Sequence, residues 1–480
     1  MRERSSKRII IEPGTYLFDN MGDIAMLQVC VVRLRNVWPD AQIKMLTRSP
    51  ERMVRFCPGT EALDGAACHR WLLTENGTRK RKRYCPGFLA KSARSLTSSF
   101  RKRCPQAALG LLRLRDEGGS YSAVTSFLRA IQDADLFVVS GQGGFADPFW
   151  KQAMSVLDLL EFAQAHGCRT AMMSQGVGPL SHPEVLDKAR RVLPRVDCIA
   201  LREDRCGLPL LKSLGVRMDR VVTPGDDAIQ MAYRAAPPSV GRAIGVNLRT
   251  RPYANPQEQA VSQIRSVLME VAQQRKTELL AIPILHRPGT DDDDVASIGR
   301  LLNREASGID SGPLTPALCP SEGARVPLSA GEGGSAGSPG LHGAGCAGLD
   351  TPAAVIQQVG RCRVVVAGSY HAAVFALAQG IPAVGISGSD YYSAKFLGLA
   401  AQFGGGCEVV FLDDQAFPAK LRTAIDNAWD SAEVVRPRLL AAAVRQIEAG
   451  QLAYERLRQI VEGGIGGPVP ASGALLATRG

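Results

Sequence analysis

The sequence predicts an α/β protein built from two Rossmann-like domains that face a central cleft. Short apolar segments alternate with longer amphipathic segments along most of the 480 residues, and strands that alternate with helices form parallel βαβ units. The alternation occurs twice, before and after a Pro- and Gly-rich stretch at 234–242. A chain of this length is long enough for two or three domains. We therefore predict an N-terminal domain over 1–235 and a C-terminal domain over 236–463.

The N-terminal half begins with the strand RIIIE at 8–12, an amphipathic helix over 22–38 and a strand at 42–47. Apolar runs flanked by polar turns predict four more strands, at 135–140, 169–175, 197–202 and 220–224. Helical periodicity predicts helices near 149–166, 183–193 and 205–214.

The C-terminal half repeats this order. Apolar runs predict strands at 243–249, 277–285, 363–368, 382–387 and 407–412. Helices are predicted near 255–274 and 293–304, in the segment that begins with His371, and over 415–462. The part of this final helix after about residue 431 is expected to return to the N-terminal half.

Three segments do not fit the alternation. Residues 79–125 form a basic insertion, because Arg79–Arg103 holds ten Lys or Arg residues and no Asp or Glu. Residues 306–350 contain 22 Gly, Pro and Ser among 45 residues and no aromatic residue, a composition that cannot bury enough apolar surface to fold. We therefore predict a disordered insertion there and a flexible tail over 464–480.

Loops rich in Gly, amides and charges follow the predicted strands. Ligands of open parallel sheets bind at the carboxyl ends of the strands, so these loops are expected to line one cleft between the domains. The N-terminal half contributes 18–23, 140–147, 174–179, 201–205 and 223–227, and the C-terminal half contributes 247–251, 283–287, 368–371 and 387–395.

The motifs in these loops resemble those of the polysaccharide pyruvyl transferase family. They are Asn20-Met21-Gly22-Asp23 before a long helix, the Gly-rich loop from Gly141 to Asp147, and the segments SQGVGPL, ALRED, TPGDDA and GSYHAAVFALAQGIPAV, followed by Lys395. The resemblance covers nearly the whole chain except 79–125, 306–350 and the tail. It implies the two-Rossmann architecture of the glycosyltransferase-B type and the transfer of pyruvate from phosphoenolpyruvate onto a sugar as a ketal. Phosphoenolpyruvate would be the donor substrate, with no cofactor and no metal.

His371 is the leading candidate for catalysis. Its ring lies where a strand meets the N-terminus of a helix, beside free backbone N–H groups and the positive end of the helix dipole. Such a histidine either transfers protons at the reacting atoms or is a capping or buried neutral residue. Many family members have Arg-x-His here, whereas this chain has Ser369-Tyr370-His371. One candidate ligand for the phosphate or carboxylate of the donor is therefore missing.

Three cations are expected to bind the donor. Arg202 and Arg249 end apolar strands at matching places in the two halves, and a guanidinium group suits carboxylate and phosphate. Lys395 follows two tyrosines in the last loop of the cleft. The alternatives are a salt bridge of Arg202 with Glu203 or Asp204 and a surface position for Lys395.

Small and polar loop residues complete the predicted binding site: Asn20, Gly22, Asp23, Gly143, Gly144, Ser369 and Tyr370. Gly22-Asp23 is either a helix N-cap or a place where substrate approaches the backbone, and Gly143-Gly144 is either a tight turn or a substrate-binding loop. The four acids Asp291–Asp294 favour a helix N-terminus over a metal site. No G-x-G-x-x-G fingerprint follows a predicted strand, which argues against NAD.

Composition limits the partners. The twelve cysteines form no C-x-x-C pair, no apolar run is long enough to span a membrane, and the N-terminus lacks a signal-peptide pattern, so we expect a cytoplasmic protein. Arg79–Arg103 is either a solvated loop or a surface for an anionic partner, such as phosphorylated lipid on the inner face of the membrane. No nucleic-acid-binding motif accompanies it, so nucleic acid is not expected. The acceptor is expected to be a saccharide, either polymeric or lipid-linked.

Two other functions fit the same fold. A nucleotide-sugar glycosyltransferase would need a ribose-binding carboxylate and a diphosphate-binding loop in the C-terminal half, for which GSYHAAVF is the candidate. A catalytically silent protein that binds a saccharide or a lipid carrier is the third interpretation, and the missing arginine favours it.

Overall fold

The computed structural model describes residues 6–72, 105–114, 120–249, 258–290, 292–302 and 348–463. Seven strands belong to the first half: β1 Arg8–Glu12, β2 Gln42–Thr47, β3 Glu61–Asp64, β4 Leu136–Val139, β5 Arg169–Gln175, β6 Cys198–Leu201 and β7 Val221–Val222. Five belong to the second half: β8 Ala243–Asn247, β9 Leu279–Ala281, β10 Cys362–Ala367, β11 Ala383–Ser387 and β12 Cys407–Phe411. They form two sheets, in the orders β3-β2-β1-β4-β5-β6-β7 and β12-β11-β10-β8-β9.

Helices connect these strands. Those of the first half are α1 Met21–Val37, α2 Pro50–Phe56, α3 Gly65–Leu72, α4 Pro105–Leu114, α5 Ser120–Asp133, α6 Trp150–Ala165, α7 Pro183–Val192, α8 Gly207–Ser213 and α9 Ala228–Arg234. Those of the second half are α10 Glu258–Arg275, α11 Asp294–Leu302, α12 Pro352–Gly360, α13 Tyr370–Ala378, α14 Asp390–Phe403 and α15 Phe417–Val461.

Both sheets are parallel throughout the described strands. In the first sheet, Ile9 of β1 pairs with Ile43 of β2 on one side and with Leu136 of β4 on the other. Every residue of β4 and β6 is buried, as expected for strands that helices cover on both faces. The predicted α/β class with two Rossmann-like units is therefore confirmed.

The prediction was incomplete between residues 50 and 133. It assigned no element to residues 50–72, where the structure has α2, β3 and α3, and it placed the start of α5 within the basic insertion. Val124, Phe127 and Ile131 of α5 are all buried, and their spacing is helical. Strand β9 also ends at Ala281 rather than at 285, since Pro283 follows and has no N–H to donate.

The last helix, α15, has 45 residues and contains Pro437. It packs on β10 and β12 of the second sheet and also on α1 and α9 of the first half. Arg33 of α1 forms a buried ion pair with Asp227 at 2.5 Å, and the hydroxyl of Tyr454 in α15 donates to Asp227 at 2.7 Å. This network attaches the C-terminal helix to the first half next to the loop that carries Asp226.

Several predicted segments lie outside the described residues. These are Arg79–Arg103, the tail at 464–480 and all of the predicted insertion at 306–350 except its last three residues. Among the helices that the structure describes, none is long and apolar enough to cross a membrane.

Candidate active site

A cavity of about 310 Å³ lies between the two halves of the molecule. Its lining comes from the loops after β1, β4 and β6 in the first half and from those after β8, β10 and β11 in the second. The position at the carboxyl ends of the strands is the usual one for ligands of parallel sheets. All the predicted site residues except Gly22 line the cavity: Asn20, Asp23, Gly143, Gly144, Arg202, Arg249, Ser369, Tyr370, His371 and Lys395.

His371 lies in the first turn of α13, two residues after the N-cap residue Ser369. The buried strand β10 leads directly into this turn. The imidazole is 6% exposed and rests on the backbone of Gly22 in α1, where any Cβ would overlap the ring. Gly22 therefore allows the N-terminus of α1 to meet the catalytic candidate of the other half, which explains a glycine in a helix.

Asp226 is the carboxylate that faces His371. It lies in the loop between β7 and α9, and its Oδ1 accepts a hydrogen bond from the backbone N–H of Ala228 at 2.9 Å. Its Oδ2 lies 3.6 Å from Nε2 of His371 and 3.6 Å from Nη1 of Arg202. Burial raises the pKa of Asp226, but His371 and Arg202 outweigh burial and lower it below its usual range. The sequence placed this residue in a cleft loop without assigning it a role.

Arg202 is buried at the end of β6, with 1% of its surface exposed. Its guanidinium carbon lies 4.1 Å from the centre of the Tyr370 ring, and Gly143 and Gly176 leave room for its Nη2. Within the described part of the chain, its only ion pair is the long one with Asp226, and its nitrogens have no hydrogen-bond partner. The alternative of a salt bridge with Glu203 or Asp204 is therefore wrong. A buried guanidinium without partners is costly, which indicates a site for an anionic ligand.

Lys395 is buried in α14, so the alternative of a surface lysine is wrong. Its ammonium group donates to the hydroxyl of Tyr391, which in turn donates to the carbonyl of Gly143 at 3.0 Å. None of the described carboxylates forms an ion pair with it. Burial, followed by the positive charge of Arg202, lowers the pKa of Lys395 well below its usual range. An anion in the cavity would stabilise its charged form.

Arg249 follows β8 and is positioned by Asp294, the first residue of α11. Its Nη2 lies 3.3 Å from Oδ2 of Asp294, and the same oxygen accepts hydrogen bonds from the backbone N–H groups of Ile284 and Leu285, both at 2.9 Å. The sequence assigned Asp291–Asp294 to a helix N-terminus. In the structure, Asp294 also positions the guanidinium group of Arg249 at the cavity. No group of possible metal ligands is found among the residues described.

The N-cap of α1 is Asn20, so the alternative that Gly22-Asp23 forms the N-cap is wrong. Oδ1 of Asn20 accepts hydrogen bonds from the backbone N–H groups of Gly22 at 3.0 Å and Asp23 at 3.2 Å. Asp23 lines the cavity, where His371, Arg202 and Lys395 act on its carboxyl group. Burial raises the pKa of Asp23, although these cations act in the opposite direction.

Ser369 is the N-cap residue of α13, and Tyr370 is its first residue. Their hydroxyl groups are buried and have no hydrogen-bond partner among the described residues. An unpaired buried hydroxyl costs roughly 1–3 kcal/mol, so both groups are available to a ligand that reaches them.

Two parallel sheets around an interdomain cavity define the glycosyltransferase-B class of folds. A Listeria monocytogenes protein assigned as a UDP-N-acetylglucosamine 2-epimerase has this fold and is similar to the chain, with a TM-score of 0.50, 10% identity and coverage of 95% of this chain and 96% of that one. The UDP-N-acetylglucosamine 2-epimerase of Methanocaldococcus jannaschii gives a TM-score of 0.49 and 10% identity, over 96% of this chain and 100% of that one. At such low identity, the similarity to the Listeria monocytogenes protein concerns the fold alone.

The chain belongs to the polysaccharide pyruvyl transferase family, whose sequence profile matches residues 20–390. This match confirms the resemblance found in the loop motifs. No curated protein sequence matches the chain.

Proposed function

We propose that the protein transfers the pyruvyl group of phosphoenolpyruvate to a saccharide, on which it forms a cyclic ketal. The observation that supports this most is the convergence of Arg202, Arg249 and Lys395 with His371 in one cavity. In the part of the chain that the structure describes, the guanidinium group of Arg202 lacks hydrogen bonds and Lys395 lacks a carboxylate partner. A small ligand with two anionic groups would supply these partners.

Phosphoenolpyruvate carries a carboxylate and a phosphate on one carbon. A planar guanidinium binds either group through two parallel hydrogen bonds, so Arg202 and Arg249 are suited to this ligand. Lys395 would supply the third cation, in place of the arginine that many family members have at the position of Ser369. The cavity volume of about 310 Å³ falls at the small end of ligand sites, which fits a donor of this size with part of a sugar.

The reaction consumes two hydroxyl groups of the acceptor. His371, held by Asp226, would deliver a proton to the methylene carbon of the donor, and one sugar hydroxyl would add to the central carbon. A second hydroxyl would then replace phosphate at this carbon. Two C–O bonds, one C–H bond and one O–H bond of phosphate form, while one C–O bond, two O–H bonds and the C=C π bond of the donor break. One hydroxyl proton balances the new methyl group and the other leaves with phosphate, whose departure the N-terminus of α13 would favour.

Incubation of the protein with phosphoenolpyruvate and a panel of polymeric and lipid-linked saccharides tests this proposal. We expect acceptor-dependent phosphate release and a product heavier than the acceptor by one pyruvyl ketal, measured by mass spectrometry. Release of nucleotide from a nucleotide sugar, with no phosphate released from phosphoenolpyruvate, would instead identify a glycosyltransferase.

For the acceptor, we propose a lipid-linked saccharide at an anionic membrane surface. The support for this proposal is the sequence of Arg79–Arg103, whose ten cations are not accompanied by any acid. Each Lys or Arg of such a segment contributes roughly 1 kcal/mol of attraction to anionic lipid when it lies near the membrane surface.

A further inference from the structure

The cavity has a second end in the first half, lined by Gly14, Tyr16, Arg48, His69, Gln142 and Gln152. The guanidinium carbon of Arg48 lies 5.9 Å from the centre of the Tyr16 ring. The loop after β4 joins the two ends. Gly143 contacts Arg202 and Lys395, whereas Gln142 packs on Gly14, where an added Cβ would lie 2.9 Å from the Cβ of Gln142. The two ends are thus one residue apart along this loop.

Gln142 and Gln152 present an unused pair of polar groups at this end. Nε2 of Gln152 donates to Oε1 of Gln142 and, at 3.3 Å, to the carbonyl of Gly14. No hydrogen bond among the described residues uses the remaining oxygen of Gln152 or the amide nitrogen of Gln142. One acceptor and one donor remain side by side, and exchanging the oxygen and nitrogen of both amides would leave the same combination. A hydroxyl group, which both accepts and donates, matches this pair.

Tyr16 is held rigidly beside these amides. Its ring packs on the backbone of Gly65, where a Cβ would lie 2.5 Å from the ring, and its hydroxyl lies 2.9 Å from Nε2 of His69. Burial, and then the charge of Arg48, lower the pKa of His69 to about 4, so the imidazole is neutral at neutral pH. The hydroxyl of Tyr16 also bonds to the buried Glu12, so this half-buried tyrosine offers a ligand the exposed part of its ring and the remaining lone pair of its oxygen.

We propose that Tyr16, Gln142 and Gln152 form the acceptor subsite and hold one pyranose ring that presents two neighbouring hydroxyl groups. The inference rests on the proposed function, since it assigns the second substrate of the same reaction. The amides of Gln142 and Gln152 bind one hydroxyl group, and the ring of Tyr16 packs on the sugar ring. Because Gly143 directly follows Gln142, the neighbouring hydroxyl groups of the sugar then lie beside the donor.

Saturation-transfer NMR on the full-length protein tests this subsite, with the methyl glycosides of glucose, galactose and mannose as probes. We expect at least one glycoside to bind the unmodified protein, and Tyr16→Phe and Gln152→Ala each to weaken this binding about threefold to tenfold, the usual effect of one lost hydrogen bond. Matched controls are Tyr233→Phe in α9 and Gln451→Ala on the exposed side of α15, which should bind as the unmodified protein does.

Phosphoenolpyruvate binding, measured by the shift in Tm, separates this inference from the proposed function. Tyr16→Phe and Gln152→Ala should keep that shift. Unchanged glycoside binding in both variants, or no glycoside bound by a protein that binds phosphoenolpyruvate, would overturn the acceptor subsite. Absence of the phosphoenolpyruvate shift, with glycoside binding still sensitive to Tyr16→Phe, would overturn the donor assignment and leave the subsite standing.

Discussion

Asp226 and His371 come from opposite halves of the molecule, and Oδ2 of the aspartate lies 3.6 Å from Nε2 of the histidine. The same oxygen lies 3.6 Å from Nη1 of Arg202. One carboxylate thus faces both the proposed acid and a proposed ligand of the donor. We therefore expect Asp226 to be a positioning residue. Its removal should impair proton transfer by His371 but should not weaken donor binding by Arg202.

Asp226→Asn keeps the size of the side chain and removes its charge. We expect turnover to fall about 10- to 100-fold, part of the range that general acid catalysis provides, because His371 loses the group that orients it. Affinity for phosphoenolpyruvate should stay or rise, because Arg202 loses a competing carboxylate. Steady-state kinetics and donor titration measure the two effects, with the exposed Asp187→Asn as control. Equal losses in turnover and donor affinity would indicate a merely structural role.

His371→Asn keeps hydrogen-bonding capacity at the start of α13 but cannot titrate near neutral pH. We expect the variant to fold and to lose about 10²- to 10⁴-fold in turnover, with a much smaller change in phosphoenolpyruvate affinity. His166→Asn, at an exposed position, is the matched control. A folded His371→Asn protein with near-native turnover would remove this residue from the mechanism.

Arg202→Lys retains the charge and loses the planar fork. Donor affinity should fall about tenfold or more, because an ammonium group cannot make two parallel hydrogen bonds to one carboxylate or phosphate. Turnover at saturating donor should fall less. Isothermal titration with phosphoenolpyruvate measures the first effect, and the exposed Arg217→Lys should leave it unchanged. If Arg202→Lys bound the donor normally, another cation would have to hold it.

Glu12→Gln should change how stability depends on pH. Burial raises the pKa of Glu12 from 4.5 to about 7, although hydrogen bonds from Gly14 and Tyr16 oppose the rise. The folded protein therefore keeps a proton that the unfolded chain has released, so this group stabilises the fold below pH 4.5 and loses the effect as pH rises to about 7. Glutamine mimics the protonated acid at every pH.

The stability of Glu12→Gln relative to the unmodified protein should thus rise between about pH 4.5 and about pH 8, by on the order of 3 kcal/mol. Differences in Tm at the two pH values measure the trend, and Glu51→Gln on the surface is the control. A Tm difference that is the same at both pH values would contradict the raised pKa.

Neutral residues in place of the RKRKR run at 79–83 should weaken binding to vesicles of phosphatidylserine and phosphatidylcholine. The loss should be greatest at low salt, because salt screens attraction between exposed charges. Vesicle co-sedimentation across a salt series measures it, with pure phosphatidylcholine as control. If both proteins bind the two vesicle types equally, the segment is a solvated loop.

The strand ends predicted from the sequence include most of the residues that line the cavity. Apolar runs that stop at Gly, Arg or His identify a strand end without any knowledge of the fold, and this locates Arg202, Arg249 and His371. The prediction failed where a role depends on a partner far along the chain. Nothing in the loop of Asp226 shows that its carboxylate meets a histidine 145 positions later.

Tyr16 and His69 show a second cause of failure. His69 lies on α3, a helix of eight residues that begins at Gly65, and such short elements have little periodicity. The burial of Lys395 was also unpredictable, because its sequence is that of an ordinary amphipathic helix and the tyrosine that accepts a hydrogen bond from it is on the same helix.

The contact between Gly22 and His371 places the candidate active site at the boundary, or seam, between the two halves and not within either half alone. The backbone N–H of Met21 donates to the carbonyl of Ile284 across this seam at 2.7 Å, and Tyr391 spans it to Gly143. Parting the two halves would withdraw the imidazole from Asp226 and the lysine from the glycine loop together. In the proposed reaction, a donor molecule exposed to bulk water in the parted state would then meet separated catalytic groups, so its hydrolysis would be avoided while a bulky saccharide enters or leaves.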